Sequence, residues 1–159
     1  MTIREATLAD LDILIPLFDG YRQFYRQPSN LDGARKFLTR LITQGKSIVY
    51  IAFLAYDTAQ EQSDRLSSVE QPVGFTQLYP IFSSVSMEPM YILNDLFIDP
   101  RYRGKGMGTA LINSVKKRCK AEHQKGIIIQ TETTNPAQKL YERLGFKKDP
   151  DLHYFWATE

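Results

Sequence analysis

Three glycines occupy alternate positions in Arg103-Gly104-Lys105-Gly106-Met107-Gly108, directly after a β-branched and aromatic run and directly before an apolar pattern of helical period. A backbone freed of Cβ atoms can curl tightly there, and a helix starting from such a curl points its unpaired N–H groups at one spot in space. The helix dipole adds roughly half a positive charge at that spot. Arg103 and Lys105 add full charges beside it, so the expected guest is an anion, a diphosphate above all. Spacing removes two other phosphate motifs. A P-loop places Ser or Thr after Gly-Lys, whereas Gly104-Lys105 is followed by Gly106. The dinucleotide fingerprint needs a third glycine three places after its second, but position 109 is Thr and position 111 is Leu. Both a nucleoside triphosphatase and a nicotinamide enzyme are therefore disfavoured.

The rest of the chain supplies the frame for this loop. Residues 91–98 read as a strand stopped by Asp99-Pro100, and after the glycines Leu111, Ile112, Val115 and Cys119 share one helical face. Upstream, residues 2–6 look like a first strand, and Thr7 with Asp10 three residues on resembles a helix cap. Leu11, Leu14, Ile15, Phe18, Tyr21 and Tyr25 then form an apolar stripe, in which Pro16 is expected to cause a kink. A second helix is predicted over 31–44, and strands over 47–56 and 73–79, joined by a polar hairpin loop at 57–71. A short β-run at 127–131 precedes Asn135-Pro136, a cap and first-turn signal for a helix through Leu140 and Tyr141 to Leu144, stopped by Gly145. Residues 152–156 are predicted to be a final strand. With no repeat and no break in composition, one domain over 1–159 is expected, of mixed α/β (α+β) class.

Two motifs carry a resemblance to a known family. Arg103, Gly106 and Gly108 match the Gln/Arg-x-x-Gly-x-Gly/Ala signature of the GNAT superfamily of N-acetyltransferases, and Leu140-Tyr141-Glu142-Arg143-Leu144-Gly145-Phe146 resembles its C-terminal motif. Ile3-Arg4-Glu5-Ala6 before a capped helix extends the likeness over nearly the whole chain. Leu93-Asn94-Asp95-Leu96-Phe97-Ile98 looks like the fourth strand of the polyamine and histone-acetyltransferase-like branch. The resemblance implies a central, mostly antiparallel sheet flanked by about four helices and splayed between its fourth and fifth strands. It implies acetyl-coenzyme A as cosubstrate, with backbone groups of Leu96, Phe97 and Ile98 holding the acetyl and pantetheine end. Residues Arg103, Gly104, Lys105, Gly106, Met107, Gly108 and Thr109 would hold the phosphates, and Thr134 or Asn135 would make a further cofactor contact. By the same resemblance the expected assembly is a homodimer.

Acetyl transfer to an amine asks two things of side chains. An alkylamine of pKa about 10.4 is protonated at neutral pH, so a proton must leave before it can attack. Asp95, an acid inside an otherwise apolar strand, is the candidate base, acting through a water, or else the anchor for the amine. Asn94 stands where some polyamine enzymes of the family carry a glutamate, and an amide is no base. The departing thiolate needs a proton, and Tyr141 matches the family tyrosine that supplies it; its alternative role is core packing. Glu88 and Glu132 flank the strands on either side of the expected splay, which suggests three carboxylates around one cleft and a polycationic acceptor. The expected acceptor is thus a primary amine, either a small polyamine-like molecule or a lysine side chain, acetylated directly in a ternary complex. A competing reading is a non-catalytic coenzyme A sensor. No metal is expected, since His123 and His153 are isolated and Cys119 sits on an apolar helix face. A formal charge of +2 from 20 basic and 18 acidic residues gives no field for nucleic acid or membrane. The first residues lack the apolar stretch of a secretion signal, so a cytoplasmic location is expected.

Overall fold

The computed structural model describes residues 1–57 and 68–158. Five strands form one sheet in chain order: β1 (Thr2–Glu5), β2 (Ile48–Asp57), β3 (Ser68–Ser83), β4 (Glu88–Ile98) and β5 (Ile127–Ile129). The first three pairings are antiparallel and β4 pairs β5 in parallel. That parallel step needs a crossover, which helix α3 (Met107–Ala121) provides. Helices α1 (Leu11–Phe24) and α2 (Leu31–Thr43) cover one face of the sheet, and α3 with the short α4 (Gln138–Arg143) covers the other.

Each face has its own core. Leu14, Phe18 and Leu38 from α1 and α2 bury against Ile51, Phe75 and Phe97 of the sheet. On the opposite face Leu111, Ile112 and Val115 of α3 meet Val73, Leu78 and Leu93. The apolar stripe read in the sequence is this α1 contact, and α1 continues through Pro16. Thr7 does adopt the capping arrangement, its N–H donating to the Asp10 carboxylate at 2.8 Å, but over a 3-10 turn, Leu8–Asp10, that precedes α1. Asp10 is further held by Arg4 through two hydrogen bonds of 2.9 and 2.6 Å, which keep its carboxyl well below the usual carboxylate range.

Asp19 ties α1 to α2. Although buried on α1, it accepts from Ser29 Oγ at 2.7 Å, the Asn30 N–H at 2.8 Å and Gln23 Nε2 at 2.8 Å. Asn30 in turn caps α2 by accepting from the Gly33 N–H at 2.8 Å. The connection between the two helices is thereby fixed at Ser29 and Asn30.

Three expectations change. The hairpin loop read at 57–71 is shorter at both ends, because Asp57 pairs with Ser68 across β2 and β3; its remainder, 58–67, lies outside the described residues. The strand starting at 73 begins at Ser68 instead and runs sixteen residues, to Ser83. The final strand at 152–156 does not form: Leu152, Tyr154, Phe155 and Trp156 are exposed and join no ladder. Their aromatic content gives β propensity, but propensity forms a strand only where a neighbouring edge and face receive it. Gln130, just past β5, meets this segment through its Nε2, 3.1 Å from His153 Nδ1.

Candidate active site

The site begins with a mismatch in strand length. β4 and β5 pair at Tyr91 with Ile127, Ile92 with Ile128 and Leu93 with Ile129, and there β5 ends while β4 continues to Ile98. Beyond Leu93 the backbone of β4 has no β5 partner on that side, which opens the sheet as a wedge. A cleft of about 340 Å³ fills this wedge. Leu96, Phe97, Ile98, Arg103 and Gly108 line one side, and Asn135, Leu140 and Tyr141 the other.

A β-bulge decides where Asp95 points. Gln77 of β3 pairs with Asp95 and Leu78 pairs with Leu93, leaving Asn94 as the extra residue on β4. Side chains alternate along a strand, so Asp95 would otherwise share the α3 face with Tyr91 and Leu93. The extra residue reverses the phase: Tyr91 and Leu93 pack under α3, while Phe97 packs with α1 and α2. Asp95 accordingly meets Tyr21 of α1, whose hydroxyl donates to the Asn94 carbonyl at 3.5 Å and lies close enough to the carboxylate to favour its ionised form. Asn94 Nδ2 donates to Asp95 Oδ1 at 3.0 Å. Burial pushes the Asp95 carboxyl up to about 6, with the neighbouring Tyr21 hydroxyl and the Asn94 amide partly opposing it.

The glycine loop has the backbone its sequence requires. Gly104 and Gly106 lie at φ of 75° and 80°, in the left-handed region, with open space where a Cβ would stand. Gly106 is the N-cap of α3 and supplies no side chain to its first-turn amides. Gly108 has a different constraint, since a Cβ there would come within 3.3 Å of Leu140 Cδ2, where α3 approaches the segment carrying Tyr141. Arg103 donates from Nε to the Ile98 carbonyl at 3.0 Å and lies over Phe24, while Lys105 lies over Tyr102.

Tyr141 is half-buried, edge-to-face with Phe146, and burial raises its phenol to about 12, so the proton stays on the oxygen at neutral pH. Asn135 lines the cleft and caps α4's approach by accepting from the Ala137 N–H at 2.9 Å. Thr134 is exposed and outside the cleft wall, whereas Asn135 is part of it. The Met107 side chain is buried in the core beneath α3, which leaves only its backbone for a ligand. Thr109 sits half-buried in the first turn of α3. Glu132 is exposed and close enough to Tyr25 to raise its phenol. Glu88 is a correction: it pairs with Ser83 at the other end of β4, roughly 20 Å along the strand from Asp95, so three carboxylates do not share one cleft.

Around the cleft, the sequence reads Tyr21 and Tyr25 only as apolar stripe and does not single out Phe24. Tyr21, Phe24 and Tyr25 line the cleft from α1, and Tyr79 approaches Asp95 from β3. The available signal was two tyrosines four residues apart at the end of the stripe, where an apolar ring carries a polar tip toward a wet boundary.

Fold and site together define the class of protein. The chain belongs to the GNAT acetyltransferase family: the sequence profile of the acetyltransferase (GNAT) domain matches residues 49–148. It is 41% identical over 156 residues to YhfO, an uncharacterized N-acetyltransferase of Bacillus subtilis, covering 97% of this chain and 95% of that one. It is 25% identical over 155 residues to a probable acetyltransferase of Haemophilus influenzae, covering 98% and 96%. The crystal structure of a probable acetyltransferase superposes with a TM-score of 0.82 at 34% identity, over 100% of this chain and 98% of that one. The protein is an N-acetyltransferase, and its fold implies acetyl-coenzyme A as cosubstrate.

Proposed function

We propose that the chain acetylates a primary alkylamine, a small polyamine-like molecule or a lysine side chain, directly from acetyl-coenzyme A in a ternary complex. The observation that carries this reading is the wedge between β4 and β5, bounded by the glycine loop at one end and by Tyr141 at its wall. The residues present fit the cosubstrate. Open space at Gly104 and Gly106 lets backbone amides approach a diphosphate, with Arg103 and Lys105 beside them. The unpaired β4 edge over Leu96, Phe97 and Ile98 offers hydrogen bonds to an amide-bearing arm, as an added strand would use them. Asn135 supplies a polar contact across the wedge. When bound, the cosubstrate supplies an acyl group activated as a thioester.

The chain's own residues then manage protons. Asp95, with its carboxyl near 6, is ionised at neutral pH and yet basic enough to hold a proton taken from the amine. Tyr141 keeps its proton at neutral pH and can donate it to a leaving sulfur. The rings of Tyr21, Phe24 and Tyr25 receive the cationic amine at the cleft wall, with Glu132 at its margin. A thiol-release assay with acetyl-coenzyme A against a panel of alkylamines tests the reading. Turnover with at least one amine above the hydrolysis background supports it; coenzyme A binding without turnover on any amine supports the sensor reading instead.

A further inference from the structure

The assignment of Asp95 as base, on which this inference rests, meets a geometric obstacle. Asp95 is only 3% exposed and is not among the residues forming the cleft wall. An amine bound in the cleft therefore cannot touch its carboxylate. Two groups beside Asp95 do form part of that wall: Asn94, whose amide donates to the carboxylate at 3.0 Å, and Tyr21, whose hydroxyl donates to the Asn94 carbonyl at 3.5 Å and lies next to the carboxylate. They differ in what they can pass on. The Asn94 amide nitrogen donates but has no basic lone pair, whereas a hydroxyl both donates and accepts.

We propose that the Tyr21 hydroxyl carries the acceptor amine's proton through the cleft wall to the Asp95 carboxylate. In this step an N–H bond of the ammonium breaks as an O–H bond forms on Tyr21, and the original Tyr21 O–H bond breaks as one forms on Asp95. The amine is left with its lone pair, Asp95 becomes neutral, and Tyr21 ends as it began. No free phenolate is required, which suits a phenol whose ionisation is strongly disfavoured by burial and by the Asp95 charge.

The surroundings favour this path. Tyr21 is held on α1 by Phe75 of β3, Phe97 of β4 and Tyr25, with ring centroids 6.0, 6.5 and 5.1 Å away. The groups facing Asp95 are Tyr21 and Tyr25 from α1, Tyr79 and Gln77 from β3, and Asn94 on its own strand. All are neutral, so a proton delivered to Asp95 removes a charge that none of them compensates. Tyr79 approaches from β3 and does not form part of the cleft wall; of the tyrosines that do, Tyr21 is the one whose hydroxyl lies close enough to the carboxylate to favour its ionised form.

The test measures kcat/KM with acetyl-coenzyme A and propylamine for the unaltered chain, Tyr21→Phe, Asp95→Asn and the double variant. Tyr21→Phe keeps the ring and its packing, and a thermal melt of each variant confirms folding. At about pH 7 Tyr21→Phe is expected to lower kcat/KM by roughly 10- to 100-fold. The defect should narrow as the pH approaches about 10.4, where the amine loses its proton unaided. Because the two groups act in one relay, the double variant should be within a few-fold of Asp95→Asn alone. An impaired Asp95→Asn beside a Tyr21→Phe within about two-fold of the unaltered rate would overturn the relay and leave the base assignment standing. A Tyr21→Phe defect that is independent of pH and multiplies that of Asp95→Asn would also overturn it, marking Tyr21 as packing. An unimpaired Asp95→Asn removes the base assignment, and the relay with it.

Discussion

Asp95 and Tyr141 are pushed in the same direction by burial, yet the consequence differs because one is an acid of low pKa and the other of high pKa. For Tyr141 the shift secures the proton it must donate, so Tyr141→Phe is expected to lower turnover by roughly 100-fold while coenzyme A affinity stays within a few-fold. Steady-state kinetics and calorimetry on the same preparation separate the two effects. For Asp95 the shift is a stability cost. Its folded value near 6 lies above the 3.8 of a free aspartate, so the folded state binds more protons between those two pH values. Stability from this group is therefore lost as pH rises from about 4 to about 6, on the order of 3 kcal/mol in all, and the penalty is constant above that. Asp95→Asn removes it. Denaturant unfolding should show the variant more stable than the unaltered chain at about pH 8 and not at about pH 4, while its activity falls. Equal stability at both pH values would mean that the carboxylate is better solvated than its burial indicates.

At the scale of elements, two connections position the site, and each can be loosened by itself. Gly106 turns the chain from β4 into α3 at positive φ, and since nothing crowds its Cβ position the obstacle to substitution is backbone strain rather than collision. Gly106→Val should therefore raise the coenzyme A Kd at least tenfold, measured by calorimetry, with a melting temperature only a few degrees lower. Asp19, by contrast, holds the α1–α2 connection through Ser29, Asn30 and Gln23, so Asp19→Ala should destabilise the fold by about 2 kcal/mol by removing three hydrogen bonds to a buried charged carboxylate. Much of this framework was legible in the sequence. The strand, glycine loop and helix came from composition and period, because local backbone chemistry dictates all three. Asp95 was legible as an acid in an apolar strand, but the face it occupies was not. A single extra residue at Asn94 sets that face, and the extra residue exists only relative to the pairing of β3 with β4. Tyr21 was hidden for a similar reason: its spacing reports a buried ring, and only the opposing strand shows that its hydroxyl meets a carboxylate. The final strand failed because residues 152–156 have strand composition without a partnered edge.

For the whole molecule, the sheet separates two apolar cores, and the cleft lies where the sheet parts between them. Described residues include no helix long and apolar enough to cross a membrane. The charge of +2 over 159 residues gives little long-range steering of a cationic acceptor, so selectivity must arise inside the cleft. There the aromatic wall of Tyr21, Phe24 and Tyr25 favours one ammonium group, and it does so for any alkylamine. Among the described residues, the acid beside this wall for a second positive charge is Glu132, which acts on Tyr25, while Glu88 lies at the far end of β4. An exposed ion pair contributes at most about 1 kcal/mol, which corresponds to about a fivefold difference in kcat/KM. Spermidine is therefore expected to exceed propylamine by no more than about fivefold, and added salt should reduce that margin as screening weakens the Glu132 contribution. Glu132→Gln should bring the two amines level without changing the rate with propylamine. The measurement is a side-by-side kcat/KM comparison at two ionic strengths. A preference of roughly 100-fold or more for spermidine, surviving both salt and Glu132→Gln, would show that a deeper acidic pocket reads the second charge.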